Sequence, residues 1–199
     1  MQDIFRRTFS VLTAGALTLG VHASVARADQ SPGLTPSYLY VLDCFGDYVN
    51  NADVIYATAG ATTYGTSGND VIFGTSGPDQ IMGYDGNDVI CGGDGGDTIW
   101  GDQPVPSATT DADKIDGENG ADSIYGGNGN DQLHGGAMDD EIWGDENSDT
   151  IYGGQGNDTI FCNGGPADWA DGGTRLANGD PDVDSPAKSN GCETMYNIP

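Results

Sequence analysis

The sequence predicts an all-β chain wound as a parallel solenoid with two nonapeptides per coil. Three observations predict it: a nine-residue unit recurs in tandem, each unit carries one aliphatic residue at a fixed place, and glycines recur at turn positions. Written G-G-x-G-x-D-x-I-x, the units begin as GTSGNDVIF (65–73), GTSGPDQIM (74–82), GYDGNDVIC (83–91) and GGDGGDTIW (92–100). A longer unit, GDQPVPSATTDADKIDG, breaks the run at 101–117 but keeps Asp113 and Ile115 in their places. The run resumes as GENGADSIY (117–125), GGNGNDQLH (126–134), GGAMDDEIW (135–143), GDENSDTIY (144–152) and GGQGNDTIF (153–161). A degraded unit with Asp168 leads to Gly172-Gly173, which makes about eleven units.

Within a unit, glycine at the first, second and fourth places permits positive φ and close backbone approach, so the first six residues read as a turn. The last three alternate polar, apolar and variable, which reads as a short strand with one side chain inward. The inward series is Ile72, Ile81, Ile90, Ile99, Ile115, Ile124, Leu133, Ile142, Ile151 and Ile160. Two units close one coil of 18 residues, and stacked coils form two parallel sheets around a thin aliphatic core. One buried aliphatic residue per nine recovers only a fraction of the entropy lost in ordering nine backbone residues. The fold needs a further source of stability.

The sixth place supplies a candidate. It holds Asp70, Asp79, Asp88, Asp97, Asp113, Asp122, Asp131, Asp140, Asp149, Asp158 and, in the degraded unit, Asp168. Stacked turns line these carboxylates along two edges, where they repel one another unless a cation lies between them. Carboxylate and carbonyl oxygens in a flexible cage suit Ca²⁺ better than Mg²⁺, which wants a tighter octahedron. With two histidines in the chain and no Cys-x-x-Cys pair, Zn²⁺ does not fit.

G-G-x-G-x-D-x-I/L-x resembles the haemolysin-type (RTX) calcium-binding nonapeptide repeat, clearly over residues 65–161 and loosely over 162–173. The resemblance implies a right-handed parallel β-roll with several Ca²⁺ ions between turns, and it makes each sixth-place aspartate a calcium ligand. Eleven turns shared between two edges give at most nine inter-turn sites. Three imperfect turns lower that number: Met138 and Asn147 replace the fourth-place glycine, and the 101–116 unit carries an insertion. Asn tolerates the left-handed region, whereas Met does not.

The flanks carry their own signals. Arg6-Arg7, a mildly apolar stretch from Phe9 to Val25, and Ala26-Arg27-Ala28 lay out a secretory signal peptide over residues 1–28, cleaved near Ala28. The apolar run is too dilute for a membrane anchor. Arg6-Arg7-Thr8-Phe9 also resembles a twin-arginine signal, which leaves two export routes open. Cleavage removes three of the six basic residues and one acid, leaving 3 Lys+Arg against 30 Asp+Glu. So acidic a chain is not expected to bind nucleic acid or anionic membranes, both of which require Lys and Arg. Segments 29–64 and 174–199 are then the N-terminal and C-terminal caps of the 65–173 roll. An exported chain with four cysteines favours disulfides. Cys44–Cys91 and Cys162–Cys192 would tie each cap to its own end of the roll.

Other motifs offer less. Asp180, Asp182 and Asp184 take the first, third and fifth places of an EF-hand-like loop, but Ser185 and Gly191 stand where Gly and Glu are required. That stretch reads as a solvated acidic loop. The ninth places of alternate units hold Met82, Trp100, Tyr125, Trp143 and Phe161. If the insertion preserves phase, they stack on one outer face, either as cross-strand support or as a platform for sugar rings or a protein partner. No nucleophile elbow or His-Glu-x-x-His pattern is present. His134 takes an outward variable place, and the 36 residues between cleavage and repeats are too few for a catalytic domain. The expectation is a secreted, non-enzymatic calcium-binding protein that folds on binding Ca²⁺, with a structural or interaction role outside the cell. The alternative is a cell-surface or matrix adhesin that binds glycans through Trp100, Tyr125, Trp143 and Phe161.

Overall fold

In the computed structural model, residues 41–49, 53–103, 110–164, 168–173 and the backbone of 192–196 are described. The expected signal peptide at 1–28 and the acidic loop from Asp180 lie outside them.

Short strands alternate between two parallel stacks. The first contains β3 (Asp53–Tyr56), β5 (Asp70–Phe73), β7 (Val89–Cys91), β9 (Lys114–Asp116), β11 (Gln132–Ala137), β13 (Thr150–Gln155), β15 (Asp168–Asp171) and β16 (Cys192–Tyr196). The second contains β4 (Thr62–Tyr64), β6 (Gln80–Met82), β8 (Thr98–Trp100), β10 (Ser123–Asn128), β12 (Glu141–Glu146) and β14 (Thr159–Phe161). Successive units fall in opposite stacks, so two units make one coil of the expected solenoid. Among the described residues, no helix is long and apolar enough to cross a membrane.

Register follows the repeat. Ile72, Ile90, Ile115, Leu133, Ile151 and Ala170 pair in one stack, and Ile81, Ile99, Ile124, Ile142 and Ile160 pair in the other. They form one core, and all are buried. A slip of one residue would turn every member outward, so the single aliphatic place fixes register. The insertion in the 101–116 unit leaves the phase intact: β9 pairs with β7, and β10 with β8.

Two features extend the expected units. Among the described residues, the parallel ladder already includes Asp53–Tyr56, inside the segment read as an N-terminal cap, because Val54, Ile55 and Tyr56 keep the strand pattern without a Gly-Gly turn. In β10 to β13 the strand also runs on through the start of the next turn, Gly-Gly in β10, β11 and β13 and Gly144-Asp145 in β12, which pairs Gly136 with Gly154. Both glycines have positive φ, 111° and 109°, so the chain bends without leaving the ladder.

The outer faces show where the flanks go. Cys44 and Cys91 form a disulfide, as expected. It ties the leading segment to the first coils, on their outer face. β1 (Val41–Leu42) and β2 (Tyr48–Val49) form an antiparallel hairpin whose turn lies across the outer face of the longer stack. There Cys44 joins Val71, Phe73, Cys91, Val54 and Val89 in a second apolar cluster. Phe45 reaches His134 edge-on at 5.3 Å, and Asp47 pairs with Lys114 at 3.4 Å. The physical reason is the outward valine row of the first coils, which exposes apolar surface that needs a cover. Cys162 is disulfide-bonded too, and the side chain of its expected partner, Cys192, lies outside the described residues.

On the shorter stack, Trp100, Tyr125, Trp143 and Phe161 stack face to face, with centroids 5.7, 4.4 and 5.1 Å apart. Met82 pairs with Trp100 at the head of this row. The rings meet through their faces, which is cross-strand support of the kind that stabilises a sheet.

Candidate metal centre

Each turn presents its sixth-place aspartate to the turn one coil further back. The backbone N–H of Asp70 donates to Oδ1 of Asp88 at 2.8 Å, and the same bond links Asp88 to Asp113, Asp113 to Asp131, Asp131 to Asp149 and Asp149 to Asp168. On the opposite edge it links Asp79 to Asp97, Asp97 to Asp122, Asp122 to Asp140 and Asp140 to Asp158. Six aspartates thus line one edge and five the other, and all eleven are between 1 and 3% exposed. Asp113, Asp140 and Asp149, whose turns depart from the motif, occupy regular rungs. Met138 keeps its turn in shape by accepting a φ of 87°, with its side chain exposed, and Asn147 does so at 77°.

One oxygen of each rung is therefore spoken for. The other is not: Oδ2 of Asp88, Asp97, Asp113, Asp122, Asp131, Asp140 and Asp149 is buried without a hydrogen-bond partner. An ionised carboxylate accepts only, so a donor or a cation is required there. Lys114, the one Lys or Arg among the described residues, is engaged by Asp47 on the outer face.

Backbone carbonyls complete the donor set. A Cβ placed on Gly126 would lie 2.6 Å from Asp131 Oδ2 and 2.7 Å from the Gly144 carbonyl oxygen, and one on Gly92 would lie 2.7 Å from both Asp97 Oδ2 and the Gly117 oxygen. The first-place glycine is bare because a carboxylate and the carbonyl of the next coil close over its Cα. Carboxylate oxygens buried without partners, with backbone carbonyl oxygens beside them, are the hard donor set that Ca²⁺ takes. The residues fit the ion.

Electrostatics agree. Burial pushes the pKa of Asp113 up to about 9, those of Asp140 and Asp149 to about 8, those of Asp88, Asp97 and Asp131 to about 7, and that of Asp122 to about 6. The backbone N–H on Oδ1 pulls each value down, while neighbouring carboxylates, Asp88 and Asp131 in the case of Asp113, push up. Without a cation these groups hold protons that the unfolded chain would release.

The first two turns differ. Thr66 and Thr75 take the second place, and each donates its N–H and Oγ1 to Oδ2 of Asp70 or Asp79, at 2.6 to 3.0 Å. In these turns a threonine supplies donors that the glycine and other second-place residues do not. The repeat formula averages over the second place and hides this. It also passes over Asp102, which is 3% exposed at the second place of the interrupted unit, with its pKa raised by burial.

Residues 64–99, 107–140 and 126–160 match the family model of the RTX calcium-binding nonapeptide repeat, given there as four copies. No curated protein matches the chain. The carboxylate ladders and this match coincide over the same turns: residues 64–99 and 107–160 of this chain are RTX calcium-binding nonapeptide repeats.

Proposed function

We propose that this is a secreted, non-enzymatic protein whose β-roll folds when calcium binds between stacked turns, and whose role outside the cell is structural or interactive. The observation that carries this reading is the pair of carboxylate ladders, in which Oδ2 of Asp88, Asp97, Asp113, Asp122, Asp131, Asp140 and Asp149 is buried and short of partners. Asp88, Asp97, Asp113, Asp122, Asp131, Asp140, Asp149 and Asp158 would hold the ions together with the turn carbonyls, and Asp70, Asp79 and Asp168 would close the ends. The ion supplies the positive charge that offsets their mutual repulsion. The protein's own part is to hold each carboxylate in place through the backbone N–H on Oδ1 and to exclude water from Oδ2.

Folding outside the cell follows from the affinity range of extracellular calcium modules, roughly 10⁻⁴–10⁻³ M. At the far lower free calcium inside cells the ladders stay empty, and the charged chain has too little core to order itself. The Cys44–Cys91 disulfide suits an oxidising compartment. The aromatic row gives the adhesin reading little support, since a sugar ring stacks on an aromatic face and these faces meet one another. His134 sits against Phe45 and Tyr152, at 5.3 and 4.7 Å, and burial lowers its pKa, which suits packing better than proton transfer.

Far-UV circular dichroism during a calcium titration of chelator-treated protein tests the proposal. The expected result is a transition from a disordered to a β spectrum, and a spectrum that calcium leaves unchanged would overturn it.

A further inference from the structure

Three carboxylates outside the sixth-place ladders converge where the array is interrupted. Asp85 holds the third place of the 83–91 unit, and Asp102 and Asp111 stand at the two ends of the stretch that lengthens the 101–116 unit. One oxygen of each lies within 4.8 Å of the other two. The neighbouring coils fix this meeting. Gly101 donates to the Tyr125 carbonyl at 2.9 Å, and Asp113 keeps its rung on Asp131, so both ends of the insertion are held. Asp111 Oδ2 accepts the Gly86 N–H at 3.0 Å, and Asp102 Oδ2 accepts the Asn128 N–H at 2.7 Å.

A second, independent feature points to a ligand. Asp102 is only 3% exposed, and its Oδ1 is buried with no hydrogen-bond partner. A buried acceptor left unmatched is costly, and a cation removes that cost. Lys114 is bound to Asp47. We propose that Asp85, Asp102 and Asp111 form a further cation site, beside the rungs of Asp88 and Asp113 but with its own set of side-chain ligands, that takes a hard divalent ion of the calcium class. It rests on the calcium reading of the roll for its chemistry, but none of its three carboxylates belongs to a sixth place. Three side-chain carboxylates give it more negative charge than an inter-turn gap lined by two sixth-place aspartates and carbonyls, and ligand charge raises affinity, so it is the tightest site of the chain.

The test counts calcium ions bound by the full chain, by native mass spectrometry and chelator competition, in the wild type, Asp102→Asn and Asp111→Asn. Asparagine keeps an acceptor for the Asn128 or Gly86 N–H and removes the charge. Each variant is expected to bind one ion fewer and to lose the tightest step, with the circular dichroism of the calcium-saturated fold unchanged. Should Asp102→Asn fail to fold in saturating calcium, Asp111→Asn, on the half-buried rim, decides. An unchanged count with the tightest step retained overturns this proposal and leaves the roll reading intact. Loss of several ions at once overturns the site's separateness, and a wild type that binds no calcium overturns both readings.

Discussion

Replacing Gly126 by alanine tests the turn geometry at a point where backbone meets backbone. The new Cβ would lie 2.6 Å from Asp131 Oδ2 and 2.7 Å from the Gly144 carbonyl oxygen. The carboxylate can rotate, but the carbonyl belongs to the next coil and moves only if the coils part. Overpacking of this kind costs about 1–3 kcal/mol, and a fixed obstacle places Gly126→Ala in the upper part of that range. For a chain of this size, 2–3 kcal/mol lowers Tm by roughly 4–12 °C. Gly77→Ala is the control: nothing lies within 4 Å of its added Cβ, and its φ is not in the left-handed range. That change should be neutral or stabilise by about 0.4–1 kcal/mol through the unfolded state. Calorimetric melting of both variants in saturating calcium reads the difference. Equal Tm values, or a larger loss at Gly77, would refute the claim that carboxylate and carbonyl close over the first-place glycine.

Further outcomes follow from the same ladders. The raised folded-state pKa values, about 6 for Asp122 up to about 9 for Asp113, lie above the unfolded carboxylate value of about 4. The ion-free fold therefore binds more protons than the unfolded chain. That contribution to stability is complete below about pH 4 and is lost as pH rises through 6–9. Calcium competes with those protons, so its midpoint should fall between pH 6 and 8 with measurable proton release, and a calorimetric titration in two buffers checks this. Met138→Gly relieves a φ of 87° and should stabilise the calcium-bound fold by about 1 kcal/mol in urea unfolding. The double change Cys44→Ser and Cys91→Ser opens a loop spanning 47 positions and should cost about 2–4 kcal/mol by the same assay. An unchanged urea midpoint would place the hairpin's attachment in its apolar contacts instead.

The sequence alone determined the winding of this protein. A nine-residue period with one aliphatic place admits one register, because a slip of a single residue would expose Ile72, Ile90, Ile115 and every other core side chain at once. The same period placed the eleven aspartates on two edges and selected oxygen-loving calcium over zinc. What the departures from the period bring together was hidden, since a repeat formula describes what units share. The threonine donors on Asp70 and Asp79, the convergence of Asp85, Asp102 and Asp111, and the hairpin lying over Val71 and Phe73 depend on residues that differ from unit to unit. Each required knowing which side chains three-dimensional stacking brings within a few ångströms. Asp102 and Asp111 meet only because the coils before and after them hold both ends of the insertion still. Local pattern sets a solenoid's path because each coil touches mainly its neighbours. Contacts between unlike residues on adjacent coils are decided by the tertiary structure, where their spacing first exists.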